Sequence, residues 1–337
     1  MDTMIETRGL TKEFRSGKKT VTAVKDLDLH IATGEMVALL GPNGAGKSTA
    51  LRMLTTLLAP TSGSAYVAGY DVTSDQHAVR RAIGYIGQGN SAGHAQRVND
   101  ELVASGRAYG LSRAGSRARA DELLESLGLT EQATQKVMTL SGGQRRRLDI
   151  AMGLIHSPGL LFLDEPSTGL DPQNRANLQQ HVVDLRRKHG ATVVLTTHYL
   201  EEADSLAERI VVIDHGQVVA DDSPAALKSR HAGDRIALTF AGPDEAARAA
   251  QRAAAAHPAA QVVQDGTAVD VQVAGGAAMV TGFLADLASS GLAPATVEVA
   301  RPTLDDVFLA LTGRSLREGR TDIRTDARTD ITEEVAA

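Results

Sequence analysis

Met36-Val37-Ala38-Leu39-Leu40-Gly41-Pro42-Asn43-Gly44-Ala45-Gly46-Lys47-Ser48-Thr49 is the stretch that decides how this chain is read. It opens as a short apolar run of the kind that forms a buried strand. Gly41–Ser48 then fits the spacing G-x-x-x-x-G-K-[ST]. The glycines let backbone N–H groups turn inward around phosphate oxygens. Lys47 supplies a point charge for β- and γ-phosphates, and the Ser48 hydroxyl is placed to ligate Mg²⁺. A helix opening at Lys47 adds the positive end of its dipole. Strand, glycine loop and helix, in that order, are the context this chemistry requires.

Further apolar runs lie at 82–86, 160–163, 192–196 and 210–213, with helical patterns at 173–189 and 199–208 between some of them. Continuous runs of this kind read as buried, largely parallel strands. Their alternation with helices predicts an α/β sheet covered on both faces. From about 90 to 158 the strand signals thin out and helical ones take over, notably Arg117–Leu127 and Gln144–Ile155. This segment reads as a helical insertion into the core.

A different pattern begins near 229. Strands are expected at Arg235–Phe240, Gln261–Gln264, Ala268–Val273 and Thr296–Val299, and helices at Pro243–His257 and Ala277–Ser290. Asp265-Gly266 marks a hairpin between the two middle strands. The order β-α-β-β-α-β predicts a small ferredoxin-like domain, closed by a short helix at Leu304–Leu311. The expected organisation is therefore a core domain over 1–228, an accessory α+β domain over 229–313 and a tail over 314–337. The tail repeats Arg-Thr-Asp from 320, 324 and 328, and its low apolar content predicts disorder.

Two more sites carry chemistry. Leu160-Leu161-Phe162-Leu163-Asp164-Glu165 is a buried strand ending in two carboxylates. Beside a phosphate loop, Asp164 can reach Mg²⁺ and Glu165 can orient an attacking water. Leu140-Ser141-Gly142-Gly143-Gln144 precedes a helical stretch. Ser141 is a plausible cap, and the glycines bare backbone N–H groups at a helix start, which makes a second anion site. A second anion site without its own phosphate loop hints at a nucleotide shared between two chains.

Composition limits the function classes. The 337 residues are 42% hydrophobic and 23% charged, as in a soluble globular protein of two or three domains. A net charge of -6 gives no global attraction to nucleic acid. The chain has no cysteine, which excludes disulfides and thiolate metal sites and suits a reducing compartment. No run approaches the length of a membrane span, and the first residues lack a signal-peptide layout. Service to a membrane would require docking on a partner.

In combination these motifs resemble the ATP-binding subunits of ABC transporters. The landmarks fall in family order over roughly 4–228: Gly41–Thr49, Gln88, Leu140–Gln144, Leu160–Glu165, Ser167–Asp171 and His198. The resemblance implies that ATP and Mg²⁺ are bound, that Phe14 stacks on adenine and that Gln88 senses Mg²⁺ and the attacking water. It implies that His198 contacts the γ-phosphate and that Asp171 lies in the loop beside the partner's site. Ser141, Gly143 and Gln144 of one subunit would close on ATP held by Lys47 of the other. Arg301–Gly313 is similar to the end of the daunorubicin-resistance type, which implies drug or antibiotic export through a separate membrane permease. The chain would then sit peripherally at the cytoplasmic face of the membrane, with no nucleic acid bound. The stretch after Gln88, Gly89-Asn-Ser-Ala-Gly-His-Ala-Gln96, departs from many relatives in a region that in the family touches the membrane subunit. The rival reading is a soluble ATPase acting on ribosomes or nucleic acid. A single phosphate loop, the absence of a sustained heptad run and the acidic balance speak against it.

Overall fold

A computed structural model describes residues 2–17, 19–88, 92–93, 95–273 and 275–313. The expected disordered tail, and Gly89–Ser91 and His94 of the departing stretch, lie outside the described residues. The described chain divides into two compact units, the first ending at Asp221 and the second beginning at Asp222.

The first unit opens with two long antiparallel strands, β1 (Thr3–Ser16) and β2 (Lys19–Ala32), which the apolar-run reading does not detect. They are followed by β3 (Met36–Leu40), α1 (Lys47–Leu54), β4 (Ser62–Val67), β5 (Tyr70–Asp71), α2 (Gln76–Ala82) and β6 (Ile83–Ile86). Ala82, expected in a strand, is the last residue of α2. The helical insertion comprises α3 (Val98–Ala108), α4 (Arg113–Ser126) and α5 (Gly142–Leu154), joined by 3₁₀ turns. The core then resumes with β7 (Leu160–Asp164), α6 (Pro172–His189), β8 (Thr192–Thr197), α7 (Leu200–Leu206), β9 (Arg209–Asp214) and β10 (Gln217–Asp222). Helix α4 starts earlier than the apolar pattern suggests because Ser112 caps it, accepting from the Gly115 N–H at 3.0 Å.

The main sheet has the order β10-β9-β3-β8-β7-β6. The printed pairs β3–β8, β3–β9, β7–β8 and β6–β7 are all parallel. Every residue of β3, β7 and β8 is buried, which is why these strands read as unbroken apolar runs rather than alternating ones. A second, antiparallel sheet has the order β2-β1-β4-β5. Its inward residues, among them Ile5, Leu10, Leu27 and Ile31, share one core with Leu51, Met53 and Leu54 of α1 and with Phe162 of β7. The helix that follows the phosphate loop is therefore held between two sheets.

The second unit contains α8 (Pro224–His231), β11 (Asp234–Thr239), α9 (Pro243–Ala256), β12 (Gln261–Asp265), β13 (Ala268–Val273), α10 (Gly276–Ser289), β14 (Thr296–Ala300) and α11 (Leu304–Thr312). Its antiparallel sheet has the order β12-β13-β11-β14, with the hairpin turn at Gly266. Ile236, Leu238, Val269 and Val271 face Ala246, Ala249, Phe283 and Leu287 of the two covering helices. Helix α8 packs against α11, so it belongs to this unit rather than to the one before it.

Candidate functional site

The phosphate loop leaves the buried end of β3 and runs into α1. Gly41 and Ala45 are buried, Pro42 is half-buried, and Asn43 and Gly44 form the exposed apex. Gly46, the residue before the helix, has φ 104°, and a Cβ there would collide with the carbonyl oxygen of Ala23. Only glycine fits this conformation and this space. Lys47 folds back along the loop, donating to Gly41 O at 2.7 Å and Pro42 O at 2.9 Å. Burial pushes its ammonium pKa down, opposed by the carboxylates of Glu165 and Asp164. Ser48 and Thr49 continue the first turn of α1.

Three strand ends converge here. Ser48 Oγ donates to Asp164 Oδ1 at 2.9 Å, joining α1 to β7. Gln88, just past β6, brings its Nε2 to 3.4 Å from Ser48 Oγ. Thr196 on β8 donates its hydroxyl to Asp164 Oδ1 at 2.7 Å and accepts from the Glu165 N–H at 3.0 Å. The other carboxylate oxygen, Asp164 Oδ2, is buried and has no hydrogen-bond partner. A fully buried carboxylate oxygen left without a partner beside a serine hydroxyl and an exposed amide fits a Mg²⁺ ion. Ser48, Asp164 and Gln88 each carry a hard oxygen, Gln88 through the amide oxygen beside the Nε2 that now faces Ser48, and the three expected ligands are brought together.

Glu165 carries φ 48°, in the left-handed region, an arrangement that costs a non-glycine residue about 1–3 kcal/mol. Its N–H is held by both the carbonyl and the hydroxyl oxygen of Thr196. Glu165 Oε2 accepts from Thr168 Oγ1 at 3.2 Å and lies 3.4 Å from His198 Nδ1. The imidazole contact holds the carboxyl below its ordinary range, while burial pushes the other way. His198 follows β8, and its ring packs on Tyr199 at 4.2 Å. Phe14 lies on β1, 43% exposed, with Lys12 Nζ 5.4 Å from its ring centre. It is not a core phenylalanine: it sits at the surface with the Lys12 ammonium over its ring.

Ser141 forms a complete capping box with Gln144: Ser141 Oγ accepts from the Gln144 N–H at 3.2 Å, and Gln144 Oε1 accepts from the Ser141 N–H at 2.9 Å. Gly143 is buried against α6, where a Cβ would fall 2.5 Å from Asn174 Oδ1. No described hydrogen bond links Ser141, Gly143 or Gln144 to the Lys47 cluster. Asp171 caps α6, accepting from the Asn174 N–H at 2.9 Å.

Thr196, Arg146 and Glu202 belong to this region, yet the motif reading passes over them. Threonine in a buried strand looks like ordinary β-former usage, and an arginine in a basic helix looks solvated. Only the fold reveals that Arg146 is buried and that Glu202 is 1% exposed.

A phosphate loop entering a helix, a strand-end aspartate on its serine and a neighbouring glutamate define an ATPase of the phosphate-loop class. A family model described as ABC transporter matches residues 24–168. The chain is 41% identical over 320 residues to the daunorubicin/doxorubicin resistance ATP-binding protein DrrA of Streptomyces peucetius, covering 94% of this chain and 95% of that one. It is 37% identical to the linearmycin resistance ATP-binding protein LnrL of Bacillus subtilis, covering 94% of this chain and 100% of that one. Among solved structures it is similar to the dimeric, post-hydrolysis ATP-binding cassette MJ0796 bound to ADP and Pi, with 29% identity, TM-score 0.60, and coverage of 65% of this chain and 98% of that one. The chain belongs to the ABC transporter family as one of its ATP-binding, ATP-hydrolysing proteins.

Proposed function

We propose that two copies of this chain, arranged head to tail, close on two ATP molecules and drive a separate membrane permease that exports drug- or antibiotic-like compounds. The observation that carries this reading is the separation within one chain. Lys47, Ser48, Asp164 and Glu165 form one cluster, while the Ser141–Gly143 helix start is closed by its own capping box and makes no described hydrogen bond to that cluster.

In this reading the Gly41–Thr49 loop wraps the phosphates, Lys47 exchanges its loop carbonyls for phosphate oxygens, and Phe14 stacks on the base. Ser48, Asp164 and Gln88 would hold Mg²⁺, whose charge would offset that developing on the phosphates. Glu165 orients and deprotonates the attacking water, and His198 keeps that carboxylate ionised and reaches the γ-phosphate. Ser141, Gly143 and Gln144 of the second copy supply backbone and hydroxyl donors to the far side of the nucleotide, with Asp171 alongside.

Among the described residues no helix is long and apolar enough to cross a membrane. A groove of about 280 Å³ on the first unit, rimmed by the exposed side chains of Leu57 and Tyr109 and lined by Ile83 and Met152, offers a seat for a partner's apolar helix. In this reading the chain attaches peripherally, at the cytoplasmic face, through that docking. Resistance and export functions borne by the relatives favour this reading over a soluble ATPase working on ribosomes or nucleic acid.

Mixing two inactive chains tests the arrangement. In a head-to-tail pair, Lys47→Ala with Ser141→Arg leaves one intact composite site, so the mixture should recover ATPase activity that neither chain has alone. Failure of the mixture to exceed either variant would sink the shared-site reading.

A further inference from the structure

Arg146 sits on α5 just beyond the Ser141 cap, yet its side chain reaches out of the helical insertion into the ATP site's backbone. Nε donates to Pro166 O at 2.8 Å, Nη1 to Gly87 O at 2.7 Å and Nη2 to Asp164 O at 3.4 Å. The residue is buried, and burial pushes its pKa down while Asp149 and Asp164 push it up. Asp164 and Pro166 flank Glu165, and Gly87 precedes Gln88. One planar guanidinium therefore grips the main chain on both sides of the catalytic glutamate and immediately before the glutamine. The same helix is wedged at its start, where Gly143 abuts Asn174 and Asn174 in turn bonds Asp171.

We propose that Arg146 is a positioning residue that relays engagement of this chain's Ser141–Gly143 turn with the partner's nucleotide to Gln88 and Glu165 of the same chain. The proposal rests on the shared-site reading above. Physically, a rigid fork bonded to three carbonyls cannot redistribute its bonds when the helix shifts, so the loops move with it. Lysine, with a point charge and tetrahedral donors, cannot hold three carbonyls in that plane.

The test uses the full chain with its membrane partner and compares wild type, Arg146→Lys and Arg146→Gln for thermal stability, ATP-analogue binding, kcat and the Hill coefficient for ATP. The expected result for both variants is ATP affinity within about threefold of wild type, kcat lowered at least about tenfold, and a Hill coefficient falling from about 2 to about 1. Wild-type kcat and cooperativity in a folded Arg146→Lys chain would overturn the relay, as would equal losses in ATP binding and kcat. Glu165→Gln separates the two levels. If that variant keeps turnover, the site reading fails; if it is inactive while Arg146→Lys is normal, only the relay fails. Should the arginine variants not fold, hydrogen exchange on the unmodified residue decides. ATP should slow exchange at residues 87–88 and 164–165 at least about fivefold in the wild type but not in Ser141→Arg. Equal slowing in both chains would overturn the proposal.

Discussion

Glu165 Oε2 lies 3.4 Å from His198 Nδ1, so the end of β7 and the end of β8 present a carboxylate and an imidazole to the same point. The imidazole favours the charged carboxylate, and burial opposes it. The depressed pKa means that Glu165 stays ionised as pH falls through 4.5, the ordinary value for its carboxyl. In His198→Ala that contact is lost, and only Lys47 and Thr168 are left to oppose burial. The acid limb of single-turnover hydrolysis should therefore move to higher pH, along with a lower plateau rate. A limb that stays in place would show that the imidazole does not set this carboxylate.

Glu165→Gln keeps the shape but loses the carboxylate proposed as the base. Hydrolysis should fall by about 100-fold or more, the range for removing a positioned general base. ATP should still bind, and an ATP-loaded dimer should accumulate on size exclusion. Retained turnover would remove Glu165 from the chemistry.

Gly46, like Gly41, is a place where the phosphate loop tolerates no side chain, and at Gly46 the backbone is also left-handed. Gly46→Ala should destabilise the first unit by about 2 kcal/mol or more, through both the positive φ and the collision with Ala23. Thermal melting reads the effect, and ATP affinity should drop with it. A variant as stable as wild type would mean that the loop can relax at no cost.

Glu202 is a buried carboxyl on α7 whose oxygens make no well-formed hydrogen bond. Burial raises its pKa, partly offset by Thr197, Ser167 and the charge of Arg175. A raised carboxyl pKa favours the folded state below the unfolded value and loses that contribution as pH rises through the folded one. Glu202→Gln should therefore melt higher than wild type at pH 8, with the gap shrinking toward pH 5. A gap independent of pH would mean that ionisation of Glu202 carries no folding cost.

Leu57 and Tyr109 are exposed at the rim of the groove proposed for the permease. Leu57→Asp with Tyr109→Asp should reduce co-purification with the membrane subunit by about tenfold, the loss expected when apolar anchors are removed, while ATP binding persists. Undiminished co-purification would place the docking surface elsewhere.

Much of the architecture was legible in the chain itself. Buried parallel strands give unbroken apolar runs, so β3, β7, β8 and β9 could be read directly. The strands β1 and β2 escaped because they are half exposed and bulged, with charged residues along their length. They matter to the site, since β1 carries Phe14 and β2 carries Ala23 against the phosphate loop.

Sequence alone determined the local chemistry: the Gly41–Ser48 loop, the carboxylates at the end of a strand and the cap at Ser141. Each depends on contacts within a few residues, so spacing is enough to specify it. Tertiary structure decided which of these meet. Ser48 finds Asp164 and Thr196 finds Glu165 only because β3, β8 and β7 lie side by side in the sheet. Arg146 looks like one of several surface arginines until its helix is folded onto the strand ends. Burial and partnership between residues far apart in the chain are properties of packing, and no local pattern records them.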